Sequence, residues 1–173
     1  MTNRQNRILT CVSAAIEHFN ANEQYLISRD LSERCICAKF ASYLERVLAE
    51  SQFSEYTVDV EYNRGSGGNE YAKKVLQNHN IVVDLVVHKR GQDENLGFDN
   101  LFCIEMKKGY TYADMTTDKQ RLQTMTNNLC GFCYKAGFMI VADRGKELDS
   151  CKLRIDEAFY NSADTDADIN LNL

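Results

Sequence analysis

The N-terminal third of the chain contains two segments in which apolar side chains recur at the spacing of an amphipathic helix. The first spans residues 3–20, and its apolar positions are Ile8, Val12, Ala15, Ile16 and Phe19. The second spans residues 30–50, and its apolar positions are Ile36, Phe40, Leu44, Val47 and Leu48. Asp30 is suited to cap this second helix. Glu33 falls within the apolar stripe and points toward whatever the helix packs on, although a glutamate at this distance from the cap also suits a capping box.

Four segments further along have the length and composition of β-strands, namely residues 56–62, 81–88, 101–107 and 136–142. The first alternates apolar and polar side chains, as a half-buried strand does, and the others are nearly continuous apolar runs. Several glycines and asparagines lie between the second segment and the third, which suits a hairpin with a long loop. Such an antiparallel pair places Asp84 near Glu105, although the pattern leaves the register open.

Helical spacing returns in residues 114–129 and 146–160, on either side of the last predicted strand. The predicted fold is therefore α/β, with a mixed four-stranded sheet flanked by helices on both faces. An extra helix precedes this core and the helix over 146–160 follows it. We expect residues 1–160 to form a single domain. Residues 161–173 are polar and acidic, and we expect them to form a disordered tail.

Composition narrows the class of protein without indicating a function. A chain of 173 residues, 44% apolar and 26% charged, has ordinary globular composition and is long enough to bury one core. It contains no apolar run of membrane-spanning length and no secretory signal pattern, so we expect a cytoplasmic protein. Its seven cysteines are then expected to be free thiols.

The net charge of −5 is distributed unevenly along the sequence. Residues 143–173 hold eight acidic and four basic residues, so the rest of the chain is nearly neutral. The global charge therefore gives no support for nucleic-acid binding, although a local basic groove would be sufficient for it.

The candidate chemistry lies on the second and third predicted strands. Asp84 interrupts an otherwise apolar run, and an isolated carboxylate in a buried strand requires a partner or a function. Glu105 and Lys107 are two residues apart, so on a strand they project from the same face, roughly 7 Å from each other. Taken alone, this pair could equally be an exposed ion pair at a strand end, which contributes little to stability.

Asp84, followed on the next strand by Glu105-x-Lys107, resembles the motif of the PD-(D/E)XK nuclease superfamily, the restriction-endonuclease-like proteins. The order of predicted elements over residues 28–142 is similar to the α-β-β-β-α-β core of that family. A glutamate on the helix before the first strand often joins the family's site, and Glu33 stands in the matching place. The proline that precedes the aspartate in many members is Val83 here, a departure that leaves the carboxylate itself intact.

The resemblance implies a Mg²⁺ site, with Mn²⁺ as a substitute, that is formed by Asp84, Glu105 and the backbone carbonyl of Met106. Lys107 would then orient or deprotonate the attacking water, or stabilise developing negative charge. Glu33 would complete the catalytic set as an outer carboxylate or as a ligand of a second metal. Candidate phosphate contacts are the basic residues Arg64, Lys89, Lys108, Lys119 and Arg121.

These expectations favour a metal-dependent nuclease that cleaves DNA rather than RNA. We expect it to have no membrane partner and to work as a homodimer or as a subunit of a larger complex. One alternative is a catalytically inactive protein of the nuclease fold that serves as a binding subunit. Another is a structural α/β domain with no catalytic role. A distance between the Asp84 and Glu105 carboxylates too large for them to share a cation would favour this alternative.

Overall fold

The structure, a computed structural model, describes residues 1–62, 75–76, 79–80, 82–90, 100–109, 112–127 and 132–165. Their regular elements begin with three helices, α1 (Asn3–Asn22), α2 (Gln24–Ser28) and α3 (Glu33–Ala49). Next come the strands β1 (Thr57–Val60), β2 (Val75–Leu76), β3 (His79–Asn80), β4 (Leu85–His88) and β5 (Asn100–Lys108). The last elements are α4 (Tyr112–Met125), β6 (Ala136–Asp143), a 3₁₀ turn (Leu148–Ser150) and β7 (Lys152–Tyr160).

Five strands form one mixed sheet in the order β1-β4-β5-β6-β7. The pairs β1–β4, β4–β5 and β6–β7 are antiparallel, whereas β5 and β6 are parallel. Helix α4 lies between β5 and β6 in the chain and provides the crossover that a parallel pair requires. Strands β2 and β3 form a separate antiparallel ribbon. The predicted α/β class and the predicted β4–β5 hairpin are thus confirmed.

Helices cover both faces of the sheet, because the central strands are apolar on both sides. One face packs on α1 and α3, and its core includes Phe19, Phe40, Phe102 and Phe138. The other face packs on α4, and its core includes Val86, Cys103, Leu122, Met125 and Met139. From Phe102 onward the residues of β5 follow the period of a strand, with Phe102, Ile104 and Met106 in the first core and Cys103 in the second.

The prediction of a final helix over 146–160 is wrong, and the sheet has five strands rather than four. Strand β7 pairs with β6 through Ile140↔Ile155 and Met139↔Glu157, so Asp156 is an extra residue in a β-bulge. The bulge lengthens the interval between inward-facing apolar residues from two to three. That interval, together with the local charged residues, imitates the spacing of a helix.

Helix α3 begins later than its sequence pattern indicates. Ser32 is the N-cap, and its side chain accepts a hydrogen bond from the backbone N of Cys35 at 3.2 Å. Asp30 lies outside the helix with a φ of 57°. Glu33 is consequently the first helical residue rather than the third, so it takes no part in an Asp30 capping box and its carboxylate contacts β5 instead.

The packed chain continues past residue 160. Asp164 is only 7% exposed, and its Oδ1 lies 2.7 Å from NH1 of Arg4. Residues 161–165 therefore belong to the fold, and the remainder of the predicted tail, 166–173, lies outside the described residues. Within the described part of the chain, no helix combines the length and apolar character needed to cross a membrane.

Candidate active site

The register of β4 and β5 places the two predicted metal ligands side by side. Leu85 pairs with Ile104, so Asp84, one residue before β4, stands beside Glu105. The Oδ2 atom of Asp84 accepts a hydrogen bond of 2.7 Å from the backbone N of Met106. The charge of Asp84 also contributes to the raised pKa of Glu105, as expected of neighbouring carboxyl groups. The antiparallel hairpin therefore places Asp84 and Glu105 side by side.

Glu33 reaches the same end of β5 from the first turn of α3. Its Oε1 accepts a hydrogen bond of 3.1 Å from the backbone N of Lys108. Its Oε2 lies 3.8 Å from Nζ of Lys107. Glu33 thus anchors α3 to the C-terminal end of β5 and adds a negative charge beside the lysine.

Helix α4 brings two further charged side chains into the site. Arg121 contacts Oε1 of Glu105 through NH1, and the same nitrogen lies 3.3 Å from Oδ1 of Asp118. The Nζ of Lys107 lies 3.0 Å from Oδ2 of Asp118, an ion-pair distance, although this buried oxygen makes no well-directed hydrogen bond. Asp118 was not among the site residues predicted from the sequence, although Asp118 and Leu122, four residues apart at the start of a helix, were part of the resemblance to the nuclease superfamily. The signal that could have identified it is the acid–base spacing of i, i+3 with Arg121 on a helix that covers the site.

Gly137 of β6 allows α4 to approach the sheet closely. A Cβ atom at this position would lie 3.3 Å from Cδ2 of Leu122 and 3.3 Å from Cγ2 of Thr126, which is tighter than ordinary contact. Since Leu122 follows Arg121 directly, this close approach helps to determine where the Arg121 guanidinium sits relative to β5.

Burial strongly affects the two adjacent carboxyl groups. It raises the pKa of Glu105 to about 8, and the charge of Asp84 adds to this increase while Arg121 opposes it. Burial also raises the pKa of Asp84, against hydrogen bonds from the Met106 backbone and from Glu105 that lower it. Two carboxylates this close and this buried are costly to ionise together without a further positive charge.

The neighbouring groups are subject to the same negative potential. Burial would lower the pKa of Lys107, but its contact with Asp118, and then the charges of Glu33 and Asp84, raise it above the usual value. Lys107 is therefore a stable cation in this arrangement. On the opposite face of the sheet, burial raises the pKa of the Cys37 thiol to about 12, with Asp84 and Glu105 contributing.

The predicted phosphate contacts are scattered. Arg121 lies within the site and Lys108 lies at its edge, where its Nζ is 2.8 Å from Oδ1 of Asp30. Lys119 pairs with two acidic residues of β7, at 2.7 Å from Asp156 and 2.9 Å from Glu157.

Of the remaining two, Lys89 is the one that the structure describes, and it lies away from the acidic cluster. Lys89 follows the far end of β4, five residues from Asp84 or roughly 16 Å along an extended chain, and pairs with Glu55 at 2.7 Å. Arg64 lies outside the described residues. Of the four predicted cations that the structure describes, Arg121 lies within the acidic cluster and Lys108 lies at its edge.

The charge of the cluster is suited to a cation. Its carboxyl groups belong to Glu33, Asp84, Glu105 and Asp118, and its cations are Lys107 and Arg121. Full ionisation would leave two negative charges in excess. Within the described ranges, however, no group of three or more His, Cys, Asp or Glu side chains is arranged to hold a metal ion. Asp84 and Glu105 form a two-carboxylate pair rather than a complete cage.

Comparisons with known proteins add no assignment to this geometry. The chain matches no protein-family model, no curated protein and no solved structure.

Proposed function

We propose that this protein is a metal-dependent nuclease of the PD-(D/E)XK type that hydrolyses phosphodiester bonds, in DNA in preference to RNA. The observation that carries the proposal is the β4–β5 register, which sets Asp84 against Glu105. Lys107 follows on the same face of β5, where its Nζ faces two more carboxylates. The five-stranded mixed sheet with helices on both faces agrees with a restriction-endonuclease-like core that carries one additional edge strand.

The residues fit a magnesium ion in charge and in ligand type. Mg²⁺ retains several waters and is commonly held by only one or two carboxylates together with substrate phosphates, so a two-carboxylate pair is sufficient. The raised pKa values of Glu105 and Asp84 follow from burial that Arg121 and Lys107 compensate only in part. Asp84, Glu105 and the Met106 carbonyl would hold the metal, which when bound lowers the pKa of a coordinated water and polarises the phosphate.

The side chains around this pair have separate tasks in the proposed reaction. Lys107 carries a stable positive charge next to the carboxylates and would stabilise the negative charge that develops on the phosphate. Glu33 and Asp118 hold the lysine from two sides, at 3.8 and 3.0 Å. Arg121 contacts Glu105 and would be available to a phosphate once Glu105 binds a metal.

A cleavage assay tests the proposal. Purified protein is incubated with plasmid DNA and with single-stranded DNA in Mg²⁺, in Mn²⁺ and in EDTA. Cleavage is expected with either metal and not with EDTA. Lys107→Met should reduce the rate at least about 100-fold, since charge stabilisation and proton transfer by a positioned side chain contribute on that order. Lys39→Met, which removes a lysine of α3 paired with Glu23, is the matched control and should cleave normally.

Two results would overturn the nuclease assignment. One is the absence of cleavage by folded protein on every substrate and metal. The other is cleavage that persists in both Lys107→Met and Glu105→Gln, which would identify a contaminating enzyme.

A second candidate function is a binding subunit that keeps the fold without catalysis. The observation that favours it is that the candidate catalytic groups already have internal partners, because Arg121 contacts Glu105 and Asp118 contacts Lys107. Titration calorimetry separates the two functions. A nuclease should take up Mg²⁺ and lose this uptake in Asp84→Ala, whereas a binding subunit should show either no uptake or uptake that survives the substitution.

A further inference from the structure

A second feature lies at the same edge of the sheet as the acidic cluster. It is a groove of about 400 Å³ between α2 and the loop that joins β6 to β7, and we call it the basic groove. Its lining comprises Tyr25, Ser28, Arg29, Arg144, Gly145, Lys146, Glu147, Leu148 and Cys151. Three positive side chains and one negative side chain face it, in a chain whose net charge is −5. The lining of the basic groove is therefore positively charged, whereas the molecule as a whole is negatively charged.

The positive charges of the basic groove are available to a ligand. Arg29, Arg144 and Lys146 are exposed, and none of them forms an ion pair with another described residue. The lining acid, Glu147, precedes the 3₁₀ turn, where its backbone N donates to Oγ of Ser150 at 3.1 Å. An anionic ligand would thus meet three cations without first breaking an ion pair.

The loop that carries two of these cations has a defined shape. A Cβ atom on Gly145 would lie 1.9 Å from Oγ and 2.7 Å from the backbone C of Ser150, so only glycine allows the loop to fold back this closely. The Oγ of Ser150 in turn donates to the carbonyl of Glu147 at 2.7 Å, and Gln24 of α2 donates to the carbonyl of Asp149 at 3.4 Å. The loop is tied both to itself and to α2.

The basic groove also presents an aromatic ring. Tyr25 is 58% exposed, and the guanidinium of Arg29 lies 5.0 Å from the centre of its ring. Cations that contact phosphates, interleaved with an exposed aromatic side chain, are the elements with which proteins bind unpaired nucleic-acid strands. A duplex keeps its bases stacked inside, so the exposed ring favours a single strand.

Contacts connect the basic groove to the acidic cluster. Lys108, whose backbone N donates to Glu33, extends its Nζ to Oδ1 of Asp30 at 2.8 Å. The pKa of Asp30 is lowered mainly by Lys108, with a smaller contribution from the charge of Arg144. The backbone N of Gly109 donates to the carbonyl of Ala142 at 3.2 Å, so the ends of β5 and β6 lie together. The groove and the cluster thus form one continuous edge.

We infer that the basic groove is a subsite for the unpaired flank of a nucleic-acid substrate, with phosphates on Arg29, Arg144 and Lys146 and a base against Tyr25. The inference rests on the proposed function, because the groove would guide a strand toward the carboxylates that cleave it. The preferred substrate is then single-stranded DNA or a duplex with a single-stranded flank.

Binding in EDTA tests this subsite independently of cleavage. A fluorescein-labelled 12-nucleotide single strand is titrated with full-length protein, and its anisotropy is followed between 50 and 200 mM NaCl. Arg29→Ala/Arg144→Ala should weaken binding at least about tenfold at low salt. It should also flatten the plot of log affinity against log salt by about 1.4, since each phosphate contact on a single strand contributes about 0.7. An unlabelled duplex of the same sequence should compete poorly.

The matched control is Arg7→Ala/Arg46→Ala, which removes two exposed arginines from the other end of the molecule. Arg46 is thirteen residues beyond Glu33 on α3, or about 20 Å along the helix. This control should change affinity less than about twofold. Tyr25→Ala should weaken binding at least about fivefold, and Tyr25→Phe should retain it, because stacking needs the ring and not the hydroxyl.

The possible failures are distinguishable. Equal effects of the two double-arginine variants, or equal competition by the duplex, would overturn the subsite even if the protein cleaves DNA. Loss of binding in Arg29→Ala/Arg144→Ala, without cleavage by the wild type in Mg²⁺ or Mn²⁺, would support the subsite and reject the nuclease.

Discussion

Asp118 lies on the side of α4 that faces β5 and is only 6% exposed. Its two oxygens face different cations, Lys107 at 3.0 Å and Arg121 at 3.3 Å. Burial alone would lower the pKa of Lys107, and the contact with Asp118 is the largest of the interactions that oppose this. Asp118 therefore favours the protonated form of Lys107.

Removing this carboxylate should make Lys107 more reactive. In Asp118→Asn the contact that raises the pKa of Lys107 is lost while its burial remains, so its pKa should fall. A lower pKa increases the fraction of neutral, reactive amine at a given pH. Labelling with an amine-reactive ester at pH 8, read by mass spectrometry, should show that increase. Lys119 in the same protein is the internal control, because its partners Asp156 and Glu157 are unchanged. Equal labelling of Lys107 in both proteins would contradict the role of Asp118.

The paired carboxylates also predict a pH-dependent stability. Burial raises the pKa of Glu105 from its usual 4.5 to about 8 in the folded protein, so the folded state binds more protons between these limits. The free energy of unfolding should therefore fall as pH rises from about 4.5 to about 8. Glu105→Gln cannot ionise, so its stability relative to the wild type should increase over this range, by about 4–5 kcal/mol at most, since each pKa unit corresponds to about 1.4 kcal/mol.

Urea unfolding in EDTA at pH 5 and pH 8.5 measures this difference. The exposed residue Glu45 supplies the control, since Glu45→Gln should give the same offset at both pH values. A Glu105→Gln offset that does not grow with pH would show that Glu105 is ionised throughout.

At the scale of single residues, the sequence was sufficient to predict those neighbours in the site that follow from the two-residue period of a strand and from the hairpin. Glu105 and Lys107 share a face because they are two apart on one strand, and Asp84 meets them because a hairpin joins the two strands. The contacts of Arg121 could not be predicted in the same way. Its guanidinium could have faced solvent, and its contact with Glu105 depends on how α4 packs across the sheet.

At the scale of elements, the sequence-based prediction of secondary structure fails where the spacing of apolar residues fits both a helix and a bulged strand. Strand β7 was expected to be a helix because the bulge at Asp156 spaces Ile155 and Ala158 three apart. The pairing of β7 with β6 is a long-range contact, and it outweighed the local preference for a helix. The central strands were predictable because both of their faces are buried, which makes them continuous apolar runs.

Strand β7 forms an edge of the sheet, and a side chain of α1 pairs with its backbone. Asn20 donates from Nδ2 to the carbonyl of Leu153 at 2.9 Å and accepts from the N of Leu153 at 2.7 Å. The amide group thus reproduces the two hydrogen bonds that a neighbouring strand would make, and it covers part of an otherwise unpaired edge. The same contact joins the first helix to the last strand.

Replacement of Asn20 should measure what this edge contact contributes. Asn20→Ala leaves a partly buried N–H and carbonyl without their partner, so the free energy of unfolding should fall by about 1–2 kcal/mol. Asn22→Ala removes the same side chain from an exposed position, where Nδ2 bonds only the carbonyl of His18, and should change stability by less than about 0.5 kcal/mol. Chemical denaturation of both variants is the measurement, and equal effects would contradict an edge role for Asn20.

At the scale of the whole molecule, the two ends of the described chain are joined. Gln5 donates to the carbonyl of Asn161 at 2.8 Å, and Arg4 pairs with Asp164 at 2.7 Å. The two members of this ion pair are 160 residues apart, so no local pattern in the sequence could reveal it. The acidic residues after 160 were expected to be solvated, whereas the first of them, Asp164, is a buried counter-ion.

This ion pair should be essential to the stability of the fold. The side chain of Asp164 is 1% exposed, and Lys135 also approaches its Oδ1, at 3.9 Å. Asp164→Asn removes the carboxylate that two buried cations face, and breaking a buried pair in this way costs about 3–5 kcal/mol. Because the pair is buried, the loss should persist in 1 M NaCl, where an exposed ion pair would be screened. The exposed Asp149→Asn is the matched control and should have little effect. A loss below about 1 kcal/mol in urea unfolding, or one that disappears in high salt, would show that the chain end is held by its backbone contacts instead.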